Sequence, residues 1–354
     1  MKVIFAPDWR DGVPYQRLLA EALAPHGVQV TFLEGYKRIF PLRRLLATQS
    51  CDLLHLHWPE AYYQRKGDAW DWFRRARFAY DLNGAIRHCA LATTAHNLHA
   101  HNRANEPFAA RNMRSAHTQA GVIFAHSAIA KQRLVSEFSV AAEKICVIPH
   151  GDLSVTLGAP VSQAEARTAL GLSAEKIVLM FGTVEPYKGH EEVIAWWRRA
   201  KPDAMLVIAG NPITPEYGSD LTERIGDTKK ILTRFAWLSD DQLRLWLCAA
   251  DCTVFNYRQI FTSGAANLAR SWGLPILLPA RLDTIVLDEP NPFVHRFSDF
   301  ETDFAEALNK ALTIKPDFEA AASWREACSW DKVAQLTADG YRLALGNIHP
   351  KMQP

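Results

Sequence analysis

The chain lacks any long apolar run. Stretches such as Ile177 to Phe181 and Ala204 to Ala209 fall far short of the roughly 20 residues that span a bilayer. Met1-Lys2-Val3-Ile4-Phe5-Ala6 leads directly into Pro7 and Asp8, without the layered design of a secretory leader, so a cytoplasmic protein is expected. The cysteines, Cys51, Cys89, Cys146, Cys248, Cys252 and Cys328, include no CxxC pair and lie mostly in apolar stretches. That argues against a disulfide framework or a zinc site. The histidine clusters His55/His57 and His96/His99/His101 are explained by alternation on a strand or by loop placement, and no metal is expected. A strong excess of one charge is also missing, since the formal net charge is +2.

What remains is a chain of 354 residues with 48% hydrophobic and 22% charged residues, the balance of a globular protein and the length of two α/β domains. The small net charge hides an asymmetry. Residues 1–150 carry 19 Lys and Arg against 12 Asp and Glu, whereas the remainder is acidic by five charges. The first half is therefore expected to face an anionic partner.

Strand and helix signals alternate along the first half: Val3 to Ala6, a helix from Tyr15 to Leu23, Val28 to Leu33, Leu53 to His57, a helical stretch from Asp68 to Ile86, Ala90 to Ala95, Ala120 to His126, a helix from Ala128 to Phe138, and Ile145 to Pro149. Short apolar runs between helices predict a parallel sheet covered on both faces. Gly151 to Glu165 loses this rhythm and reads as a linker. Alternation restarts with Ile177 to Phe181, Met205 to Ala209, Ile231 to Phe235, Cys252 to Phe255 and Ile276 to Leu278. The expected architecture is α/β, with two doubly wound domains at 1–155 and 165–328 and a C-terminal helix at 329–354 that crosses back to the first. In such folds a ligand sits at the carboxyl ends of the strands, here in a crevice between the domains.

Residues 178 to 194 join an apolar strand to a loop bearing Gly182, Tyr187, Lys188 and Gly189 and then to an amphipathic helix. Free N–H groups and the dipole at a helix start attract anions, and one lysine completes a pocket for a diphosphate. A second candidate runs from Asn256 through Tyr257, Arg258 and Gln259 to Ser263-Gly264, which opens another helix; Arg258 supplies a cation and Ser263 an N-cap. Between the two, Gly210-Asn211-Pro212 ends a strand where the backbone can pass close to a ligand, and the turn near Ser239-Asp240 offers main-chain groups for a base. In the first half, His55-Leu56-His57-Trp58-Pro59-Glu60 and His96-Asn97-Leu98-His99-Ala100-His101 end two strands in titratable groups, where a general base is needed.

Together, the order of these segments, with His150-Gly151 closing the first half and a late Ser-Trp-Asp helix, resembles a GT-B glycosyltransferase, and more narrowly the xanthan β-mannosyltransferase group, glycosyltransferase family 94. The resemblance implies transfer of a sugar from a nucleotide-sugar donor, GDP-mannose in that group, onto a lipid-diphosphate-linked oligosaccharide with inversion, in polysaccharide synthesis. Family 4 instead expects an arginine about five residues before the loop lysine, where this chain has Thr183, and an E-x7-E pair that falls near Ile260 and Leu268. On this reading Gly182, Tyr187, Lys188, Asn211, Tyr257, Arg258, Gln259, Ser263 and Gly264 hold the donor, with Lys188 and Arg258 stabilising the leaving diphosphate without a metal cofactor. The base is Glu60, His96 or Asp8, in that order. Transfer from a UDP-sugar, forming a β-glucuronosyl or β-glucosyl linkage, is the alternative within the class; a non-catalytic nucleotide-sugar or polyanion-binding module is the alternative outside it.

Residues 36–46 and 62–80 interleave Tyr and Trp with Lys37, Arg38, Arg43, Arg44, Arg65, Lys66, Arg74, Arg75 and Arg77. Such a face suits the anionic surface of a membrane, and peripheral attachment to its inner face through the first domain is expected rather than nucleic-acid binding.

Overall fold

Runs in which almost every residue is apolar must be covered on both faces, and here they form two all-parallel six-stranded sheets flanked by helices. The computed structural model describes the chain except for residue 13 and residues 36–38, 63–70, 99–105, 174–175 and 347–354, with no side chains described at 71, 72, 74, 75 and 106–109.

The first unit contains β1 (Lys2–Ala6), α1 (Pro14–Leu23), β2 (Gln29–Phe32), α2 (Pro41–Leu46), β3 (Leu53–Leu56), α3 (Asp71–Ala85), β4 (Ala90–Thr94), α4 (Glu106–Gln119), β5 (Val122–Ala125), α5 (Ala128–Phe138) and β6 (Ile145–Val147). Its sheet runs β2-β1-β3-β4-β5-β6, so the strand order reverses between β1 and β3.

The second unit contains α6 (Gln163–Leu170), β7 (Ile177–Phe181), α7 (His190–Ala200), β8 (Met205–Ala209), α8 (Pro215–Ile225), β9 (Ile231–Arg234), α9 (Asp240–Ala249), β10 (Cys252–Val254), α10 (Gly264–Ser271), β11 (Ile276–Pro279), β12 (Val294–Phe297), α11 (Phe304–Thr313) and α12 (Ala322–Ala327). Its order, β12-β11-β10-β7-β8-β9, reverses between β7 and β10. These reversals matter because ligands of open α/β sheets bind outside the carboxyl ends of the strands at such points.

The compact units are Met1–Gly151 with Cys328–Pro354, and Asp152–Ala327. The last helix, α13 (Trp330–Gly346), therefore completes the first unit. Its face of Val333, Ala334, Ala338, Tyr341 and Ala344 joins the core formed by Phe5, Tyr15, Leu19 and Phe124. Two departures from the sequence reading stand out. The predicted linker is largely structured: Asp152 caps a 3-10 turn at Leu153–Thr156, and Ser162 with Glu165 forms a capping box that starts α6 within it. The edge strand β12 was missed because Val294-His295-Arg296-Phe297 is only partly buried and carries two basic residues. Among the described residues no helix is long and apolar enough to cross a membrane.

Gly340 decides how closely α13 lies on the sheet. A Cβ there would stand 2.6 Å from the Phe124 ring and 3.3 Å from Val122, both in the core. Gly340→Ala is expected to cost about 1–3 kcal/mol through overpacking, read as a fall of several degrees in the thermal midpoint. An unchanged midpoint would show that α13 does not hold the first unit together.

Candidate functional site

In the second unit, β7 and β10 lie side by side at the reversal, and the loops leaving them meet. The Arg258 N–H donates to the Tyr187 carbonyl (2.7 Å), and the Asn256 amide donates to the Gly189 carbonyl (3.0 Å). Gly189, at φ 66°, fits because a Cβ would come within 2.4 Å of the Asn256 carbonyl. It is also the N-cap of α7 and offers no side chain to cap it, so the first N–H groups of that helix are left for another acceptor.

Lys188 occupies the last position of the 3-10 turn Pro186–Lys188 and is only 6% exposed. Its Nζ lies 3.1 Å from where a Gly182 Cβ would stand and 6.0 Å from the centre of the Tyr257 ring. No carboxylate pairs with it among the described residues, and burial pushes its ammonium down to about 8 against a weaker opposing pull from Glu185. Beside it, burial lowers the His190 imidazole to about 3, with the Lys188 charge adding to the effect, and Nδ1 of that ring has no partner. A desolvated cation at an uncapped helix start has the chemistry that suits an anion.

Arg258 has other partners than the anion anticipated for it. Nε donates to Glu192 at 2.8 Å and an Nη to Glu191 at 3.1 Å, both in the first turn of α7, and the side chain is half exposed. Two carboxylates offset its charge, so it serves as a strap across α7 in this structure. Arg281, which the sequence reading did not single out, reaches the same loop instead. It donates to the Tyr257 carbonyl (3.0 Å) and to Asn256 Oδ1 (3.4 Å), burial lowers its affinity for its proton, and no carboxylate pairs with it among the described residues. Its position after β11 in sequence gave no local signal; only strand order brings it beside the β10 loop.

Ser263 caps α10 by accepting the Ala266 N–H at 3.1 Å and shares a hydrogen bond with the buried Tyr257 hydroxyl, also at 3.1 Å. Gly264 begins that helix, and Gln259 lies exposed in the connecting loop. Asn211 lines a cavity of about 820 Å³ with Pro212, Ile213, Gly218, Glu223 and Phe235 beyond β8 and β9. The turn expected to offer main-chain groups at Ser239-Asp240 is a capping box, with Ser239 and Gln242 satisfying each other's N–H groups. Trp237, just before it, is 71% exposed.

In the first unit, the titratable groups collect at the carboxyl ends of β1, β3, β4 and β5. Glu60 sits on a 3-10 turn, Pro59–Tyr62, and is buried; burial raises its carboxyl to about 7, opposed by the Asn97 amide, which donates to Oε1 at 2.6 Å. His96 is buried, shares a 3.3 Å contact with His57, and is held neutral chiefly by burial. Asp8 is gripped by Arg10, with an ion pair at 2.8 Å, and that hydrogen bond lowers its carboxyl below the ordinary carboxylate value, which weakens it as a base. His99 and His101 lie outside the described residues. Among those residues no group of His, Cys, Asp and Glu is arranged to hold a metal ion.

Three comparisons bear on this geometry. Residues 3–152 match the model for Glycosyltransferase Family 4. A stretch of 171 residues is 27% identical to a GDP-mannose:glycolipid 4-beta-D-mannosyltransferase of Xanthomonas campestris pv. campestris, covering 48% of this chain and 49% of the relative; the match thus spans about half the length of that curated protein. Among solved structures, Anabaena HepE in complex with UDP and glucose superposes with a TM-score of 0.70 at 16% identity over 96% of this chain and 98% of its own. Sucrose-phosphate synthase from Thermosynechococcus elongatus gives 0.64 at 15% identity over 99% and 98%. The Thr183 departure lies outside the matched residues 3–152. The chain has the GT-B fold, and the match to the glycosyltransferase family 4 model is confined to its first half.

Proposed function

We propose that the protein is a glycosyltransferase that moves a sugar from a nucleoside diphosphate donor onto a lipid-linked acceptor, with inversion at the anomeric carbon, in polysaccharide synthesis. The observation that carries this is Lys188, a buried ammonium with no carboxylate partner among the described residues, at the uncapped start of α7, with Arg281 on the same loop system. Developing charge on a departing diphosphate would be stabilised by groups already in place. Glu60 would take the acceptor's hydroxyl proton as the oxygen attacks and the donor bond breaks, and a carboxyl near 7 is poised for that exchange near neutral pH. The half-length relative makes mannose from GDP-mannose and kinship to family 94 the first reading. The complex of HepE with UDP and glucose favours a UDP-sugar as the second.

A lipid-linked acceptor calls for attachment to a membrane surface. Support comes from Ile39, Phe73 and Tyr80, which are exposed on and beside α2 and α3. The Arg43 guanidinium lies 5.0 Å over the Tyr80 ring and Arg44 is exposed. Lys37, Arg38, Arg65, Lys66 and the side chains of Arg74 and Arg75 lie outside what is described.

A thermal-shift panel of GDP, UDP and their sugar conjugates identifies the donor: stabilisation by GDP-mannose alone supports the first reading, and by UDP compounds alone the second. Because Lys188 loses its proton near pH 8, nucleoside diphosphate affinity should fall about tenfold between pH 7 and pH 9. Lys188→Ala should remove that dependence, and Arg281→Ala should weaken binding more than Arg258→Ala.

Glu60→Gln should reduce kcat by at least about 100-fold with nucleotide affinity kept; a binding module would show no turnover to lose. The same variant reports on burial. The folded carboxyl titrates near 7, above its unfolded value, so ionisation penalises the native state as pH rises between about 4.5 and 7. Glu60→Gln should therefore be more stable than wild type at pH 8, by on the order of 3 kcal/mol, and no different at pH 4. Equal melting at both pH values would contradict the buried carboxyl.

A further inference from the structure

At the reversal point of the first unit, the indole rings of Trp9 and Trp58 stack with centroids 5.1 Å apart and planes at 26°. Trp58 in turn covers the His96 ring at 4.2 Å and 15°. Trp9 follows β1 and Trp58 follows β3, the two neighbouring strands between which the sheet order reverses. His96 is buried, whereas both tryptophans are half-buried, so the ladder runs from the core to the surface.

This ladder is built in advance of any ligand. The Trp9 backbone N–H donates to Gln16 Oε1 (2.9 Å), and the Gln16 amide, fully buried, donates to the Pro7 carbonyl (2.8 Å). Arg10, held by Asp8, lies 3.9 Å over the Phe32 ring and fixes the other flank of the loop. Neither indole N–H has a partner among the described residues. An indole used only for packing hides its faces and finds a partner for its N–H. Trp58 has Trp9 on one face and His96 on the other, so what this half-buried pair offers at the place where such sheets take ligands is the far side of Trp9 and the unused indole donors.

We propose that the Trp9–Trp58 pair is the seat of the acceptor's sugar, a β-linked hexopyranose with equatorial hydroxyls. Such a ring presents H1, H3 and H5 on one face as an apolar patch that lies on an indole, while its rim of hydroxyls meets the indole N–H. Trp58 stands two residues before Glu60, so the platform belongs to the turn that carries the base. The proposal rests on the transferase reading and adds the class of acceptor and the surface that selects it.

Saturation-transfer difference NMR with cellotetraose and the full chain tests it. Transfer should be strongest to H1, H3 and H5 and should fall at least about fivefold in Trp9→Ala and in Trp58→Ala, while Trp9→Phe keeps most of it. Lys188→Ala should bind nucleotide more weakly than wild type at pH 7 yet keep the sugar signal. If an alanine variant does not fold, 19F NMR of the 5-fluorotryptophan-labelled wild type, with lines assigned through Trp9→Phe and Trp58→Phe, must show both lines shifting on sugar addition. A protein that binds GDP or UDP but gives no transfer to cellotetraose, or gives equal transfer in folded alanine variants, overturns the platform while leaving the transferase reading intact. Sugar bound at the tryptophans without any nucleotide binding keeps the platform and overturns the transferase.

Discussion

An ammonium removed from water without a counter-charge is the condition on which the second unit is organised. Lys188 lies against Gly182 and over Tyr257, and no carboxylate among the described residues approaches it closely enough to pair. Such a group raises the free energy of the empty protein and lowers that of the anion-bound one. The loops from β7 and β10 are tied together through Arg258 N–H to the Tyr187 carbonyl and Asn256 to the Gly189 carbonyl, which fixes the cation instead of letting it swing to solvent. Glu191 and Glu192, the acids nearest the start of α7, are engaged by Arg258 and so are kept from Lys188.

The first unit applies the same principle with weak bases and acids. His55, His57, His96 and His150 are buried and His126 is half-buried, and desolvation is the main cause of their depressed basicity. Among the described residues His57 Nε2, His126 Nε2 and His150 Nδ1 lack partners, as does the Tyr15 hydroxyl, and the Tyr15 ring packs against four of these imidazoles. Neutral imidazoles leave Glu60 as the group whose proton exchange falls near neutral pH. Residues kept in such surroundings reduce stability, which is common where a protein retains chemistry at the ends of its strands.

The strands were legible because a buried parallel strand leaves an almost pure apolar run, and the helix α5 was read with the bounds Ala128 to Phe138 that the structure gives it. The Lys188 loop was legible because strand, glycine, lysine and helix follow one another within a short stretch. Arg281 and Asn97 were not assigned roles, for a common reason: each acts through a neighbour distant in sequence, Tyr257 in one case and Glu60 in the other, and only the strand order makes them adjacent. For Arg258 the fold adds partners that the sequence does not show. A basic residue in a phosphate-like loop looks available in sequence, but Glu191 and Glu192 lie 67 and 66 positions away and take its hydrogen bonds. Edge strand β12 failed the apolar pattern because one side of it is incompletely covered.

The account depends most directly on the state of one proton. Heteronuclear NMR of the Lys188 Cε and Nζ, assigned through Lys188→Arg, follows its titration with and without a nucleoside diphosphate. The structure predicts a midpoint near 8 in the free protein, as burial dictates, and a rise of at least about two pH units when the diphosphate binds. A midpoint near the ordinary lysine value in the free protein, or one that the nucleotide does not move, would contradict the buried, unpaired cation on which the functional reading is built.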